Sequence, residues 1–458
     1  MSDIEDGDEN TKVNVPDEVV RVMDMVKTES NAELVALLQA DVERAAFLMT
    51  SLDQNGWSAF TMAAELGNEE IVRLLISMKI DVNATNLTGN APLHCALANG
   101  FANVAKLLMD SGANVNHPDK ENWQPIHYAC EQGLIDLVQY LVAQGVSAES
   151  KTVEGFTPIH LASQKGHANI VKYLTEQGLK VSEPDDDGWS PLQMASEKGL
   201  ADCAESLLEA GANVNWQNKE GITALYMSSQ HGFDDLVRLL VKHKANVNLA
   251  EEDGFAPIHV ACQTGNFGTV ELLLESGADP NAVVTSTSWY PLHYAAQDGY
   301  VDIIKVLLKH DAKIDATTSD GHTSLHIAAE NGHSDAVHVL RGRGADTSIT
   351  DAAGWTALHH ASQNGHLDVV TELLSGGIDA NLMTHEGFSS LVIAVQNQHV
   401  DVMRLLLDNA ASVNQQDADD GICALHAACQ HDDVEILDLL LGQGALANLQ
   451  VRVASSRP

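Results

Sequence analysis

Apolar residues along this chain recur in pairs of helical patterns, one short and one longer. The short pattern is narrow and rich in alanine on one side, as in residues 291–296. The longer pattern carries an apolar stripe at the spacing of one helix face, as in Ile71, Val72, Leu74 and Leu75. Because a single helix pair cannot bury such a stripe, we predict that neighbouring pairs stack on one another.

The helix pairs are organised around a six-residue signature, whose plainest copy runs from Gly155 to His160 and continues into Leu161 and Ala162. Its first residue, the signature glycine position, recurs at a step of 33 residues nine times and 34 residues twice. A fixed period of this length is typical of a solenoid. The occupants of the position are Gly56, Gly89, Asn122, Gly155, Gly188, Gly221, Gly254, Ser288, Gly321, Gly354, Gly387 and Gly421.

Each copy carries signals for the ends of its first helix. Ser or Thr two residues after the signature glycine position can cap the helix N-terminus, and Pro suits its first turn. A glycine eleven residues after that position predicts a left-handed helix end, and only Gln398 and Asp432 replace it. A leucine nineteen residues after it predicts a buried contact in the second helix of every copy. These leucines are Leu75, Leu108, Leu141, Leu174, Leu207, Leu240, Leu273, Leu307, Leu340, Leu373, Leu406 and Leu440.

The repeated signature resembles the ankyrin repeat, a β-turn followed by two helices and built around T-P-L-H-x-A. The resemblance implies an all-α fold, an ankyrin-repeat solenoid of twelve helix-turn-helix and β-turn repeats over residues 53–449. We interpret residues 13–52 as a helical N-terminal cap made from a degenerate repeat, since the end of a solenoid must close its apolar face. Residues 1–12 are acidic and predicted to be disordered, and residues 450–458 form a tail.

The charge balance bears on the class of partner. Lys and Arg total 25 against 64 Asp and Glu, which gives a formal net charge of −39. Nucleic acids and anionic membranes need clustered cations, so we expect neither as a partner. A protein partner with a basic segment is compatible with this charge, although a solvated acidic exterior is the simpler explanation. The N-terminus shows no secretory signal, and no apolar run reaches membrane-spanning length.

The six cysteines also favour a reducing compartment, which we expect to be the cytoplasm or the nucleus. Cys130, Cys262 and Cys429 share one repeat position, where a small buried apolar residue is expected. Scattered thiols of this kind are more typical of an intracellular protein than of a disulfide framework.

Histidine recurs five residues after the signature glycine position, here called the His slot. A catalytic or metal-bound histidine would be singular, so a residue repeated in most copies is predicted to link neighbouring turns by hydrogen bonds. Cys423, His426 and Cys429 resemble a zinc set, but their spacing turns the outer pair apart, and we predict no metal there. His322 precedes a helix, so it does not share a helical face with His326. The His slot holds His94, His127, His160, His259, His293, His326, His359 and His426.

No P-loop, dinucleotide-binding, hydrolase or kinase motif occurs, so we expect no enzyme activity, no catalytic residue, no cofactor and no metal site. The variable positions are more informative. The residue after the signature glycine position, here called the aromatic slot, holds Trp57, Trp123, Phe156, Trp189, Phe255, Trp289, Trp355 and Phe388. The position nine residues after the signature glycine position, here called the acceptor slot, holds Glu or Gln in eleven copies, including Glu131, Gln164, Glu197, Gln230 and Gln263.

The ankyrin resemblance implies that both slots lie along the finger-like turns and the concave groove. Aromatic rings beside polar acceptors are typical of protein-binding surfaces. The alternative is that each ring packs on the neighbouring finger and only shapes the stack. For Trp123, Phe156, Trp189 and Phe255 we expect a nearly continuous row beside the acidic triplets 185–187 and 251–253.

We therefore predict a monomeric, non-catalytic scaffold or adaptor that presents an acidic concave surface to protein partners. Two alternatives stay open. One is a substrate-recognition or regulatory subunit of an enzyme assembly, such as a ubiquitin-ligase adaptor. It would need a further module, and the tail after Leu449 is too short for one. The other is an ankyrin-type microbial effector that acts inside a host cell.

Overall fold

The computed structural model describes most of the chain. The described residues are 16–417, 421–431 and 433–450. Within these ranges the regular elements are α-helices, and the extended contacts are isolated β-bridges such as Val284–Trp289. The acidic segment 1–12, Asp432 and most of the tail 450–458 lie outside the described residues. The all-α prediction is therefore confirmed for the described part of the chain.

The helices fall into two compact units, residues 1–219 and residues 220–458. The first unit contains α1 (Asp17–Lys27), α2 (Asn31–Ala40), α3 (Val42–Thr50), α4 (Ala59–Glu65), α5 (Glu69–Ser77), α6 (Pro92–Ala98), α7 (Ala102–Asp110), α8 (Pro125–Glu131), α9 (Ile135–Ala143), α10 (Pro158–Lys165), α11 (Ala168–Glu176), α12 (Pro191–Glu197) and α13 (Ala201–Glu209). The second unit contains α14 (Ala224–His231), α15 (Asp234–Lys242), α16 (Pro257–Gln263), α17 (Phe267–Glu275), α18 (Pro291–Gln297), α19 (Val301–Lys309), α20 (Ser324–Glu330), α21 (Ser334–Gly342), α22 (Ala357–Asn364), α23 (Leu367–Ser375), α24 (Ser390–Gln396), α25 (Val400–Asp408), α26 (Ala424–Ala428) and α27 (Val434–Gly442).

Within each unit, short and longer helices alternate and stack in two layers. In the first unit the short helix α4 packs on α6, and α6 packs on α8, while the longer helix α5 packs on α7. In the second unit α14 packs on α16 and α15 on α17 in the same manner. Each short helix also packs on the longer helix that follows it. The layers arise because both helices of a pair are amphipathic and too short to bury their apolar faces alone.

The start of the described chain follows the same layering. Helix α1 packs on α4, and α2 packs on α5. A third helix, α3, packs on α1, α2 and α4. The sequence predicted a helical cap over residues 13–52 without dividing it into three helices. The N-terminus of α3 is capped by the Asp41 side chain, which accepts the N–H of Arg44.

The second helix of each pair is anchored by the predicted leucines. Every leucine of that series is fully buried, from Leu75 to Leu440. Burying a leucine side chain contributes roughly 1.5–3 kcal/mol relative to its exposure. The predicted register of the longer helices is thus confirmed.

The predicted helix ends are also present. Ser58, Ser190 and Ser389 cap their helices through the side-chain oxygen. Gly365 ends α22 with a left-handed φ of 73°. Gln398, which replaces glycine at the corresponding position after α24, keeps a φ of 60°. The turn therefore holds its left-handed conformation even where the residue bears a side chain.

The cysteines are free thiols, and most behave as buried apolar residues. Cys95, Cys130, Cys203, Cys262 and Cys423 are buried. Burial raises the pKa of the Cys95 thiol to about 12, so this group stays protonated near neutral pH. The expectation of burial is wrong for Cys429, which is exposed. Helix α26 ends at Ala428, so Cys429 follows the helix, whereas Cys130 lies inside α8.

Candidate partner-binding surface

The aromatic slot is positioned by a tight turn that closes on itself. At Trp189, the backbone N–H donates to Asp185 Oδ1 at 2.7 Å, and the Asp185 N–H donates to the Trp189 carbonyl at 2.9 Å. Gly188 lies between them with a φ of 91°. A carboxyl or hydroxyl oxygen fills the same place at Trp123, Phe156 and other copies. The turn fixes where each ring leaves the backbone.

Each of the eight residues of the aromatic slot is half-buried. In five of the described copies, one part of the ring packs on the histidine of the same copy. The ring centroids are 6.1 Å apart for Trp123 and His127, and 6.0 Å apart for Phe255 and His259. Such tilted and edge contacts stabilise aromatic pairs by about 0.5–1.5 kcal/mol beyond burial. The rings therefore support the turn and still leave part of their surface to solvent.

Tyrosines extend these contacts in both units. Trp123 packs on Tyr128 with centroids 5.0 Å apart in the first unit. In the second unit Tyr294 receives both Trp289, at 4.9 Å, and Phe255, at 5.7 Å. Within the described part of each unit, the ring contacts of the aromatic slot join it to His and Tyr rings. The row expected for Trp123, Phe156, Trp189 and Phe255 is not tested by these contacts and stays a prediction.

The His slot forms the predicted hydrogen-bonded link. At His160, Nδ1 accepts the N–H of Thr157 at 3.1 Å, and Nε2–H donates to the carbonyl of Trp189 at 3.2 Å. His94 links Ala91 to His117, and the other members of the slot repeat the pattern. With both nitrogens engaged, these imidazoles have no atom free for acid–base chemistry or for a metal.

Burial disfavours the charged form of the buried imidazoles of the His slot. The cost of removing the charged form from water lowers the pKa of His160 to about 4, although the carbonyl of Trp189 favours the proton. Burial also lowers the pKa values of His94, His127, His259, His293, His326 and His359. In several copies the Nδ1 atom of the His-slot residue also contacts a hydroxyl two residues after the signature glycine position. Thr157 Oγ1, for example, lies 2.7 Å from His160 Nδ1.

The acceptor slot differs along the chain in exposure. Glu131, Gln164 and Glu197 of the first unit are half-buried, while Gln230 and Gln263 of the second unit are exposed.

Part of the negative charge in the acceptor slot is neutralised by neighbouring lysine side chains. Lys165 Nζ lies 3.2 Å from Glu131 Oε1, and Lys198 Nζ lies 3.4 Å from Glu197 Oε1. Exposed pairs of this kind contribute little stability, so these side chains remain available for other contacts.

The acidic triplets divide into a turn residue and two exposed residues. Asp185 is buried and accepts backbone N–H groups of its own turn, from Asp187 and Trp189. Burial raises the pKa of its carboxyl, against those hydrogen bonds. Asp186 and Asp187 are exposed. The triplet 251–253 of the second unit follows the same scheme. Two carboxylates of each triplet therefore face solvent beside an aromatic-slot ring.

One cluster of side chains was not predicted from the sequence. His322, Asp351 and His360 bring three ligand-type atoms within 4.8 Å of one another. Asp351 and His360 are buried, and His322 is half-buried. In the sequence, His322 was considered together with His326, and that spacing gave no indication of Asp351 or His360. The signal that could have revealed the cluster is the use of His at two positions where other copies carry aromatic or apolar residues.

In the described part of the chain, no helix has both the length and the apolar character needed to cross a bilayer. One short stretch of the chain is similar to a yeast protein described as a regulator. Over 46 residues, 10% of this chain, it is 41% identical to the "Phosphate system positive regulatory protein PHO81" of Saccharomyces cerevisiae. That match takes in 4% of the yeast protein's length.

The family comparison covers nearly all of the chain. A model described as "Ankyrin repeats (3 copies)" matches residues 22–119, 80–152, 126–218, 201–284, 283–351, 338–417 and 358–452. These overlapping matches agree with the period of the signature and with the stacked helix pairs. The chain therefore belongs to the ankyrin-repeat family, whose repeats are protein–protein interaction domains.

Proposed function

We propose that this protein is a non-catalytic scaffold or adaptor that binds protein partners through the aromatic slot and the acceptor slot. The observation that carries this proposal is the half-burial of all eight aromatic-slot rings. A ring held by a turn on one side and open on the other loses little conformational entropy when a partner covers it. Aromatic anchors of this kind commonly dominate the energy of protein interfaces.

The partner segment is proposed to be basic. Exposed carboxylates such as Asp186 and Asp187 lie in the same turn as the Trp189 ring. A Lys or Arg side chain could lie on such a ring and near those carboxylates, and a cation–π contact contributes roughly 0.5–2 kcal/mol. The protein is proposed to act as a monomer in the cytoplasm or the nucleus, in keeping with its free cysteines.

A regulatory function is the second candidate. The short match to a yeast protein described as a positive regulator favours it. Such a function would still operate through bound partners, because ankyrin repeats supply an interaction surface and no reaction chemistry is evident in the slots described above. The two candidates differ in the partner rather than in the surface.

The test is a peptide-display selection against the full chain, followed by affinity measurement at low and high salt. We expect enriched peptides to contain Lys or Arg and to bind more weakly at high salt, since charges are screened over about 10 Å at 0.1 M. Phe255→Ser should weaken peptides bound to the second unit. The matched control is Phe267→Ser, because Phe267 is an exposed ring on α17 outside the aromatic slot.

Thermal melting of both variants separates binding from structural effects. If Phe255→Ser melts well below the control, the ring is mainly structural and the alternative interpretation holds. If its melting is unchanged and the selected peptides bind equally well at both salt concentrations, the proposed surface is wrong.

A further inference from the structure

The cluster of His322, Asp351 and His360 joins three segments of the second unit. His322 follows Gly321 and precedes α20, Asp351 lies in the loop between α21 and α22, and His360 lies on α22. Asp351 Oδ2 is 3.0 Å from His360 Nε2 and 3.5 Å from His322 Nε2. One carboxylate oxygen therefore faces two imidazole nitrogens from neighbouring helix pairs.

The other oxygen of Asp351 fixes the carboxylate in place. Asp351 Oδ1 accepts the N–H of Ala353 at 2.9 Å and the N–H of Trp355 at 2.8 Å. The His360 ring packs on Trp355, with centroids 5.2 Å apart. Backbone donors and ring packing thus orient two of the three groups before any ligand arrives, which is the task that surrounding residues perform at metal sites.

The first unit contains a counterpart that lacks the third group. There Tyr128 OH donates to Asp119 Oδ2 at 2.7 Å, and these residues occupy the same repeat positions as His360 and Asp351. An Asp–His hydrogen bond alone would therefore be an ordinary structural feature of this repeat. The addition of His322, in the aromatic slot, is what converts the pair into a set of two nitrogens and one oxygen.

We propose that His322, Asp351 and His360 bind a divalent transition-metal ion, with Zn²⁺ the best match. Imidazole and carboxylate ligands suit Zn²⁺, whereas Mg²⁺ and Ca²⁺ prefer oxygen ligands alone. Ligand atoms about 2.1 Å from a tetrahedral ion are about 3.4 Å apart, close to the 3.0 Å and 3.5 Å observed here. Three protein ligands leave a fourth position for water.

Neighbouring groups do not compete for the ion. His326 lies close, with its ring centroid 5.8 Å from that of His360, but its Nδ1 accepts the N–H of Thr323 and its Nε2–H donates to the carbonyl of Trp355. The His322 side chain retains a quarter of its exposure, which gives an ion a route of entry. A bound ion would tie the turn before α20 to the loop before α22, and so stabilise the second unit by mass action.

The test is titration of the full chain with Zn²⁺ by calorimetry, with thermal melting and Co²⁺ absorption as further readouts. Two variants use residues that the chain itself carries at these repeat positions. His360→Tyr should keep a hydrogen bond to Asp351, as Tyr128 does to Asp119. His322→Phe places the usual kind of ring in the aromatic slot. The matched control is His338→Phe, because His338 is an exposed histidine outside the cluster.

We expect the wild type and the control to bind one Zn²⁺ tightly, to melt at a higher temperature with Zn²⁺ but not with Mg²⁺, and to give a tetrahedral Co²⁺ absorption band. Each cluster variant should lose about tenfold or more in affinity, lose the band, and melt like the wild type without metal. The proposal is overturned if His360→Tyr and His322→Phe bind Zn²⁺ with the same affinity and stoichiometry as the wild type.

Discussion

A histidine in the His slot makes two hydrogen bonds with two different segments of the chain. His160 accepts the N–H of Thr157, the residue that caps the N-terminus of α10, through Nδ1, and donates to the carbonyl of Trp189 in the following turn through Nε2. The N–H of the buried Thr157 would otherwise lack a hydrogen bond, at a cost of about 1–3 kcal/mol. The Trp189 carbonyl also accepts the N–H of Asp185, so His160 adds a second hydrogen bond there. These backbone contacts, which the other members of the slot repeat, explain why the residue recurs along the chain.

The lowered pKa of His160 predicts a loss of stability in acid. Its folded-state pKa, about 4, lies below its ordinary value of 6.5, so the unfolded chain takes up the proton first. The contribution of His160 to the free energy of unfolding is complete above pH 6.5. It falls as the pH drops toward 4, by about 1.4 kcal/mol per pH unit for one such group. Lys151 acts in the same direction as burial, and Glu183 opposes it.

The measurement is the free energy of unfolding against pH for the wild type and His160→Gln. Glutamine is the matched replacement, because Gln193 fills the same slot and accepts the N–H of Ser190 at 2.9 Å. We expect the variant to show a shallower decline between pH 6.5 and pH 4. Parallel curves over that range would show that His160 does not titrate as described.

At the scale of the element, the left-handed turn after each short helix is the most demanding backbone feature. Gly365 meets the demand without strain, and a Cβ there would lie 2.6 Å from His399 Nδ1. Gln398 meets the same demand at a φ of 60°. For a residue with a side chain, this conformation costs roughly 1–2 kcal/mol.

Gln398→Gly should therefore stabilise the protein by about 0.5–1 kcal/mol, after allowance for the greater freedom of glycine in the unfolded chain. Gly365→Ala at the equivalent turn should destabilise it. Urea unfolding of both variants measures whether the free energy of unfolding rises for Gln398→Gly and falls for Gly365→Ala. Destabilisation by Gln398→Gly would mean that the Gln398 side chain contributes more, through its contact with His431, than the backbone conformation costs.

At the scale of the whole molecule, the periodic features were predictable, whereas the contacts of side chains that differ from copy to copy were not. The leucine series, the helix ends and the His slot follow from a repeated pattern, because each copy meets the same local demands. The half-burial of Trp123 depends on where His127 and Tyr128 place their rings. Asp351 and His360 meet His322 only through the stacking of helix pairs, which a pattern within one copy does not encode.

The proposed function depends on two features of the molecule, its acidic surface and its aromatic slot. A formal charge of −39 favours a basic partner, but charge alone does not select a face. We propose that the aromatic slot selects it, because its rings are held in closed turns in both units. A partner that uses this surface must cover these rings, while exposed rings elsewhere stay accessible.

Hydroxyl-radical footprinting of the full chain, alone and with a selected basic peptide, tests this claim most directly. We expect protection of aromatic-slot rings, such as Trp189 or Phe255 according to the unit that is bound. Labelling of Phe267 on α17 should be unchanged. Protection of Phe267 together with unchanged labelling of the whole aromatic slot would contradict it.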